Sequence, residues 1–279
     1  MGRLGSGELK RMKKTSILKF FAILAVVIII HGIIMPCKAY AFDMTAGATT
    51  WYAWGDQFNV QKEPSLGANK NSFIKGDPGF LYGPVISAKF NDDFNLTFVF
   101  LYGKFDATKK NASMAAKAEF GRIDSDLALN YKLNNYFKVF AGIKYLAYDI
   151  IPSSVSPYSI KMNDKHISCG PGIGLSATIP ITENVFCLAT LSGLYMRGDD
   201  KVEATMWGIP HNLNIDYNEY GVNSNLSIAY YISDLSTAIS LGARFQYIIA
   251  NYNDNDIGLS SIRFKMYGVT LSATYTFNI

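Results

Sequence analysis

The sequence predicts an all-β protein, a ten-stranded antiparallel up-and-down transmembrane β-barrel. Three observations predict it: apolar and polar residues alternate with a period of two, the alternating segments are about a dozen residues long, and the connections between them alternate between long and short. A strand that crosses a bilayer at a tilt of about 45° needs ~9–11 residues, whereas strands of globular proteins usually have ~5–6. The segments therefore have the length of membrane-crossing strands.

The clearest pair of segments is residues 121–148, around a turn at Asn134 and Asn135. With the exception of Ser125, every second residue from Ile123 to Leu133 and from Phe137 to Tyr145 is apolar, and the intervening ones include paired charges. The apolar face carries Ile123, Leu127, Leu129, Tyr131, Leu133, Phe137, Val139, Ala141, Ile143 and Tyr145. A soluble sandwich buries such a face, whereas a membrane barrel turns it to lipid and keeps the polar face inside. The order of the connections favours the barrel, because the Greek-key links of sandwiches break a strict long and short alternation.

Ten strands are predicted along the chain. They span residues 44–54, 79–90, 94–105, 118–133, 136–148, 165–179, 185–197, 217–230, 237–250 and 262–277. Polar segments at 55–77, 106–117, 149–164, 198–216 and 251–261 are predicted to be long loops, and short turns are predicted at 91–93, 134–135, 180–184 and 231–236. Both chain ends of such a barrel lie on the short-turn side.

Two of these strands have weaker patterns than the others. The sixth keeps its alternation despite Pro171, which lacks the N–H that a sheet ladder uses. Both faces of the seventh strand are largely apolar. An eight-stranded barrel, with the first or seventh strand misread, is the alternative architecture.

The first 41 residues have the pattern of a signal peptide. The apolar run 20–35 is preceded by Lys10, Arg11, Lys13, Lys14 and Lys19, and Ala39-Tyr40-Ala41 fits a small-x-small cleavage site. We therefore predict a cleaved signal peptide at 1–41 and an outer-membrane β-barrel domain at 42–279. Met12 is an alternative start, and a retained transmembrane helix or a lipid attachment at Cys37 remain alternatives to cleavage.

The leader accounts for the basic character of the whole chain. It carries seven of the 26 Lys and Arg residues but only one of the 22 Asp and Glu residues, so residues 42–279 have a small net negative charge. No basic tract remains there that indicates a nucleic-acid partner. Cys169 and Cys187 are expected to be unpaired and to face lipid.

Aromatic residues flank both ends of the strands, as the two girdles of a membrane barrel do. At the short-turn end they are Phe90, Phe94, Tyr131, Tyr136, Phe137, Phe186, Tyr230, Tyr231, Tyr275 and Phe277. At the long-loop end they are Trp51, Trp54, Tyr82, Tyr102, Phe120, Tyr145, Tyr195, Tyr220, Tyr247 and Tyr267.

With its leader, amphipathic strands and final strand YGVTLSATYTFNI, the chain resembles the Gram-negative outer-membrane β-barrel proteins, of the small porin-like kind. The resemblance implies a multi-pass barrel in the bacterial outer membrane. It also implies contact with outer-membrane lipids and lipopolysaccharide, and recognition of the last strand by the barrel-insertion machinery. The last strand departs from the common form, because Asn278 and Ile279 follow its final aromatic residue.

Polar residues predicted to face the lumen carry the functional hypothesis. They are Arg122, Asp124, Asp126, Asn130, Lys138, Lys144, Asn223, Asn225, Arg244 and Gln246. We expect Asp124 to face Lys144 and Asn130 to face Lys138 across the ladder. The opposite wall is small and short-chained, which leaves room for water. The prediction is a narrow porin-like channel for small polar solutes or ions; the alternatives are a polar network that only stiffens the barrel, and a non-conducting surface barrel acting in adhesion, binding or envelope integrity through its loops.

An enzymatic function is not predicted. His166 and Ser168 resemble the His-x-Ser pair of outer-membrane lipid hydrolases, but the next acidic residue along that hairpin, Glu183, lies roughly 50 Å of strand away at ~3.3 Å per residue. His211, near Asp216, resembles the Asp/His sites of ten-stranded outer-membrane proteases but lacks further paired acids. No cofactor or metal is predicted, because no His and Cys spacing fits a metal site.

Overall fold

The computed structural model describes residues 43–62, 72–111, 114–154, 161–206, 209–252 and 259–278. The chain divides into two units, Met1–Ala41 and Phe42–Ile279. The predicted signal peptide at 1–41 lies outside the described residues and stays a prediction. The second unit is built almost entirely of strands.

Ten strands follow one another along this unit. They are β1 (Asp43–Lys62), β2 (Ser72–Lys89), β3 (Phe94–Asn111), β4 (Met114–Lys132), β5 (Phe137–Ser154), β6 (Lys161–Pro180), β7 (Val185–Met206), β8 (Ile209–Ile232), β9 (Thr237–Tyr252) and β10 (Leu259–Asn278). A short 3₁₀ turn, Ser233–Leu235, precedes β9. Over the ranges that the structure describes, no helix has both the length and the apolar character needed to cross a membrane.

The strands close into a barrel in which each pairs with its neighbours in chain order and β1 pairs with β10. All pairings are antiparallel, and Asp43 lies opposite both Asn278 on β10 and Lys89 on β2. The predicted ten-stranded up-and-down barrel is therefore confirmed, and the eight-stranded alternative is wrong.

The strands are longer than predicted, because they continue through most of the segments expected to be long loops. The third and fourth strands pair as far as Asn111 opposite Met114, and the seventh and eighth as far as Met206 opposite Ile209. The predicted loops at 106–117 and 198–216 are thus β-hairpins that prolong the barrel. Sequence alternation missed them because a strand with water on both faces needs no apolar face to keep its backbone hydrogen bonds.

The outer surface is apolar over the middle of the barrel, as contact with lipid requires. Ile173 on β6 is 69% exposed, and Leu191, Leu226 and Leu241 on the next three strands are each 59% exposed. Most predicted girdle residues lie on this surface. Trp51 and Phe120 do not: they are buried inside the barrel, because their positions in β1 and β4 have inward parity.

The half of the barrel nearest the long hairpins has a packed apolar interior. Its buried side chains come from every strand except β6, and they are Trp51, Ala53, Leu81, Leu101, Phe105, Phe120, Leu146, Tyr148, Met196, Ile215, Tyr217, Ile248, Ala250, Tyr252, Ile262, Phe264 and Met266. Below we call this set the apolar plug. It fills the lumen in the manner of a soluble core, which the sequence did not predict.

The pairing of β4 with β5 also differs from the prediction by two residues. Asp126 rather than Asp124 lies opposite Lys144, and Lys132 rather than Asn130 lies opposite Lys138. The reason is the turn, in which Asn134 Oδ1 accepts hydrogen bonds from the backbone N–H groups of Tyr136 and Phe137. This Asx-type turn takes up four residues, 133–136, between the strands, and so shifts the register of the whole hairpin.

Candidate functional site

A cluster of charged side chains crosses the lumen at mid-height, next to the apolar plug. Asp124 on β4 lies at its centre and accepts from three cations: Lys144 Nζ at 2.6 Å, Arg122 Nη2 at 2.7 Å and Arg244 Nη2 at 3.4 Å. Asp126 adds a second carboxylate, 3.0 Å from Lys144 Nζ. We call these five residues the lumen ion cluster.

The cluster is tied to both sides of the barrel. Gln246 on β9 accepts a hydrogen bond from Arg122 Nη2 and donates one to Asp124 over 3.4 Å. Arg122 also donates to the Tyr148 hydroxyl over 2.7 Å. The Gln246 contacts span the lumen between β4 and β9, which do not neighbour each other in the sheet, so the cluster braces the barrel as well as filling it.

Trp51 closes the space beside the cations. Its ring centroid is 4.6 Å from Arg244 Cζ and 5.8 Å from Arg122 Cζ, within the range of cation–π contacts. Trp51 is 0% exposed and Arg122 is 2% exposed, so no solvent layer separates the two. Ion pairs in such surroundings are held by mutual contacts rather than by water.

The other predicted lumen residues surround this cluster on the short-turn side. Asn223 Oδ1 on β8 accepts from Arg244 Nε over 3.2 Å, whereas Asn225 Oδ1 is buried without a partner among the described residues. Asn130 Nδ2 donates to Thr97 Oγ1 over 3.2 Å. Lys138 is the second residue of β5, at the short-turn end of the barrel. The structure therefore brings seven of the ten residues together and leaves Asn130, Lys138 and Asn225 apart; a pore-lining role for any of them stays a prediction.

The lumen contains cavities beside the ion cluster and between it and the short turns. The inner cavity, of about 360 Å³, lies against Asp126 and Lys144 and is lined on the far side by Gly172, Ser176 and Thr190. The mouth cavity, of about 470 Å³, lies among the turn residues and the strand ends. The small residues that the sequence placed on this wall leave the space open, and the lumen is a vestibule that ends at the ion cluster.

A second polar group lies inside the barrel, within the apolar plug. His166 Nε2 on β6 is 2.8 Å from Glu219 Oε1 on β8, and Ser168 Oγ donates to Glu219 Oε2 over 2.5 Å. The imidazole ring stacks on Tyr217 with 4.1 Å between ring centroids. Its Nδ1 lies 4.0 Å from Asp200 Oδ2. We call His166, Ser168, Asp200 and Glu219 the upper polar group.

The sequence identified His166 and Ser168 but not their acid. Glu219 comes from β8, 51 residues beyond Ser168, whereas the search along the hairpin reached only Glu183. The alternation of β8, which turns Tyr217 inward, also turns Glu219 inward and could have indicated it. The side chain of His211 lies outside the described side chains, and the backbone pairs His211 with Ala204.

Solved structures of similar fold are bacterial outer-membrane barrels. The outer-membrane protease OmpT from Escherichia coli matches with a TM-score of 0.61 and 13% identity, over 86% of this chain and 99% of that one. The chain has the fold of an outer-membrane β-barrel. Weaker likenesses include the translocator domain of the autotransporter NalP from Neisseria meningitidis (TM-score 0.46, 10% identity, 94% of this chain and 97% of that one) and the outer-membrane protein AlkL (0.41, 11%, 88% and 95%).

In comparisons of sequence, no family model and no curated protein matches the chain. At such identities the likeness describes the fold. Activity has to be argued from the residues of the barrel itself.

The upper polar group of the barrel does not have the arrangement of a hydrolase site. A serine nucleophile needs a base such as histidine to accept its proton, but here Ser168 donates to Glu219, which lies between it and His166. Ser168 is 0% exposed, so no substrate reaches its hydroxyl in this arrangement. Among the described residues no group of three His, Cys, Asp or Glu side chains could hold a metal ion. The two cysteines within the described ranges, Cys169 and Cys187, are free.

Proposed function

We propose that this outer-membrane barrel is non-conducting at rest and acts at the cell surface through its extended hairpins. The observation that carries the proposal is the filled lumen. The lumen ion cluster and the apolar plug are in direct contact through Trp51 and Arg122, and both residues are buried. A water-filled channel needs a continuous polar path, and the side chains of the plug interrupt it.

The hairpins supply the surface on which the barrel acts. The β7–β8 hairpin continues eleven residues beyond Tyr195, to Met206, which is roughly 36 Å at ~3.3 Å per residue. Along it Lys201, Glu203 and Asn212 are exposed. Rigid, paired strands carry such side chains without the entropy cost of ordering a loop, which favours adhesion or binding of an external ligand.

A narrow channel for small polar solutes or ions is the second candidate, favoured by the vestibule. The inner cavity ends directly on Asp126 and Lys144, as a passage would end on its constriction. For conduction the lumen ion cluster has to separate and Trp51 has to move aside. The channel is then gated, and the cluster is its gate.

Single-channel conductance of residues 42–279 in a planar bilayer separates the two candidates. A heat-modifiable, folded barrel that passes no current supports the closed surface barrel, whereas steady steps support the channel. An Asp124→Ala, Lys144→Ala double variant is the matched comparison, because a change in its step size or ion selectivity assigns the constriction to that pair.

We propose no catalytic role for the barrel. The partners that we propose are lipids and lipopolysaccharide against the apolar exterior. We also propose that the barrel-insertion machinery recognises β10 during assembly. On that strand Leu271 and Tyr275 are exposed on the lipid side, a pattern of the kind an insertion machinery can bind before the barrel closes.

A further inference from the structure

The vestibule contains two lysines that form no close ion pair among the described residues. Lys132 ends β4 and Lys138 lies directly opposite it near the start of β5. Both side chains line the mouth cavity, and neither forms an ion pair or a side-chain hydrogen bond in the part of the chain that the structure describes. Like charges directly opposite each other in a sheet repel, so the arrangement is unfavourable for the empty barrel.

Two of the carboxylates that line the mouth cavity form ion pairs with a third lysine. Lys89 on β2 binds Asp92 at 3.0 Å and Asp43 at 3.5 Å. In the inner cavity Asp126 binds Lys144. Asp93 is the remaining carboxylate on the mouth lining; it is exposed and pairs with neither Lys132 nor Lys138.

The two cavities meet at Lys138. Three residues line both of them, Asn95, Lys138 and Thr178, so an occupant of the junction contacts the ammonium group and a hydroxyl together. Ser176 lies opposite Lys138 on β6 and adds a second hydroxyl to the inner cavity. The combined space suits a small organic or inorganic anion.

We propose that Lys132 and Lys138 form a binding site for a small dianionic oxyanion, a phosphate group or a compact dicarboxylate, which enters from the short-turn side. Residues directly opposite each other in a sheet have Cβ atoms about 5 Å apart, so the ammonium groups of two such lysines can converge on one anion with several oxygen acceptors. The hydroxyls of Ser176 and Thr178 donate to the remaining oxygens. In outer-membrane barrels the short turns face the periplasm, so the site samples periplasmic anions whether or not the lumen conducts.

Calorimetric titration of the refolded barrel, residues 42–279 in a non-ionic detergent, tests the site. Inorganic phosphate is the first probe and succinate the second, with ionic strength held constant by sodium chloride so that general screening does not vary. We expect saturable 1:1 binding of phosphate, succinate or both. Tighter phosphate binding assigns the site to phosphate groups, and tighter succinate binding assigns it to dicarboxylates. Absence of saturable binding of either probe to the folded wild-type barrel overturns the proposal.

Charge-removing variants locate the site. Lys132→Met and Lys138→Met keep the aliphatic stem and should each weaken binding about tenfold, as loss of one close charge contact does. Asp93→Asn removes the competing carboxylate and should strengthen binding. The control is Lys104→Met, which removes a lysine paired with Glu119 and far from the vestibule. Equal affinities of wild type and both vestibule variants would refute the assignment.

A stability measurement separates a binding role from a structural one. If the lysines repel each other in the empty barrel, Lys132→Met should unfold at the same or a higher urea concentration than wild type without anion. Phosphate should then stabilise wild type and not the variant, by linkage. Lower stability of Lys132→Met without anion, together with no stabilisation of wild type by phosphate, indicates a structural lysine and overturns the proposal.

Discussion

Asp124 and Lys144 form the shortest ion pair of the lumen, 2.6 Å between Oδ1 and Nζ, although they are not opposite each other in the sheet. The partner of Asp124 in the ladder is Leu146, and that of Lys144 is Asp126. The lysine reaches diagonally because Asp124 is the carboxylate that is fully enclosed, whereas Asp126 borders the vestibule. A buried carboxylate gains more from a cation than a hydrated one does.

Neutralising Asp124 should be the most damaging single change in the lumen. Asp124→Asn leaves Arg122, Lys144 and Arg244 close together without their shared carboxylate, and we expect a loss of about 3–5 kcal/mol in the free energy of unfolding. Urea unfolding of the barrel in detergent, followed by tryptophan fluorescence, measures it. The Asp124→Asn, Lys144→Met double variant should recover part of the loss. A double variant less stable than the single one would contradict this account of the pair.

The exposed pair Lys104 and Glu119 gives the matched control for ion pairing. Its atoms are also 2.6 Å apart, but both side chains are exposed. Because exposed ion pairs contribute little to stability, Lys104→Met should cost far less than Asp124→Asn. A cost as large as that of Asp124→Asn would show that burial is not what distinguishes the two pairs.

Trp51 should be the aromatic residue on which closure of the lumen depends most. Trp51→Ala removes a fully buried ring and two cation–π contacts, so we expect a loss of about 3–5 kcal/mol in the free energy of unfolding. Trp51→Phe keeps most of the volume and should cost less. Phe80→Ala, on the lipid-facing side of β2 where Phe80 is 58% exposed, serves as the control for loss of an aromatic side chain. Equal losses for Trp51→Ala and Phe80→Ala in urea unfolding would contradict the packing argument.

The upper polar group should contribute to stability rather than to catalysis. Ser168→Ala leaves one Glu219 oxygen without its hydroxyl donor and should cost about 1.5–3 kcal/mol, the usual range for a hydrogen bond to a charged group. Glu219→Gln keeps a carbonyl for one partner and should cost less than Glu219→Ala. The absence of a catalytic role is checked by comparing hydrolysis of a fluorogenic ester by the purified wild-type barrel and by Ser168→Ala. Activity that disappears with Ser168→Ala while the barrel stays folded would refute a purely structural role.

The turn after β4 should fix the register of the lumen side chains. Asn134→Ala removes the oxygen that accepts from the N–H groups of Tyr136 and Phe137, and we expect a loss of about 1–2 kcal/mol. Replacing Asn135, whose side chain makes no such bond, should cost less. Disulfide trapping after Asp126→Cys, Lys144→Cys reports the register directly, since these positions are opposite each other in the sheet. If a disulfide forms in Asp124→Cys, Lys144→Cys and not in Asp126→Cys, Lys144→Cys, the register is the one that the sequence predicted.

The sequence by itself determined the architecture. The alternation of inward and outward side chains is a local property of each strand. Because lipid contact requires apolar residues at every outward position, the alternation can be recognised in the sequence, for example at Leu127 and Leu129. The number of strands, their antiparallel order and the side of the barrel that each lumen residue faces follow from that pattern and from the connections. Arg122, Asp124, Lys144, Arg244 and Gln246 could therefore be placed inside before any coordinates.

Only the tertiary structure decided what those residues contact. Register depends on a two-residue difference in the turn at Asn134, and contacts across the lumen depend on how ten strands tilt and close. Glu219 meets His166 and Ser168 across two strand interfaces, a distance that no local pattern encodes. The same is true of the apolar plug. Trp51 and Phe120 lie near strand ends, as girdle residues do, but successive residues of a strand face opposite sides of the sheet, and these two face the lumen and help to close it.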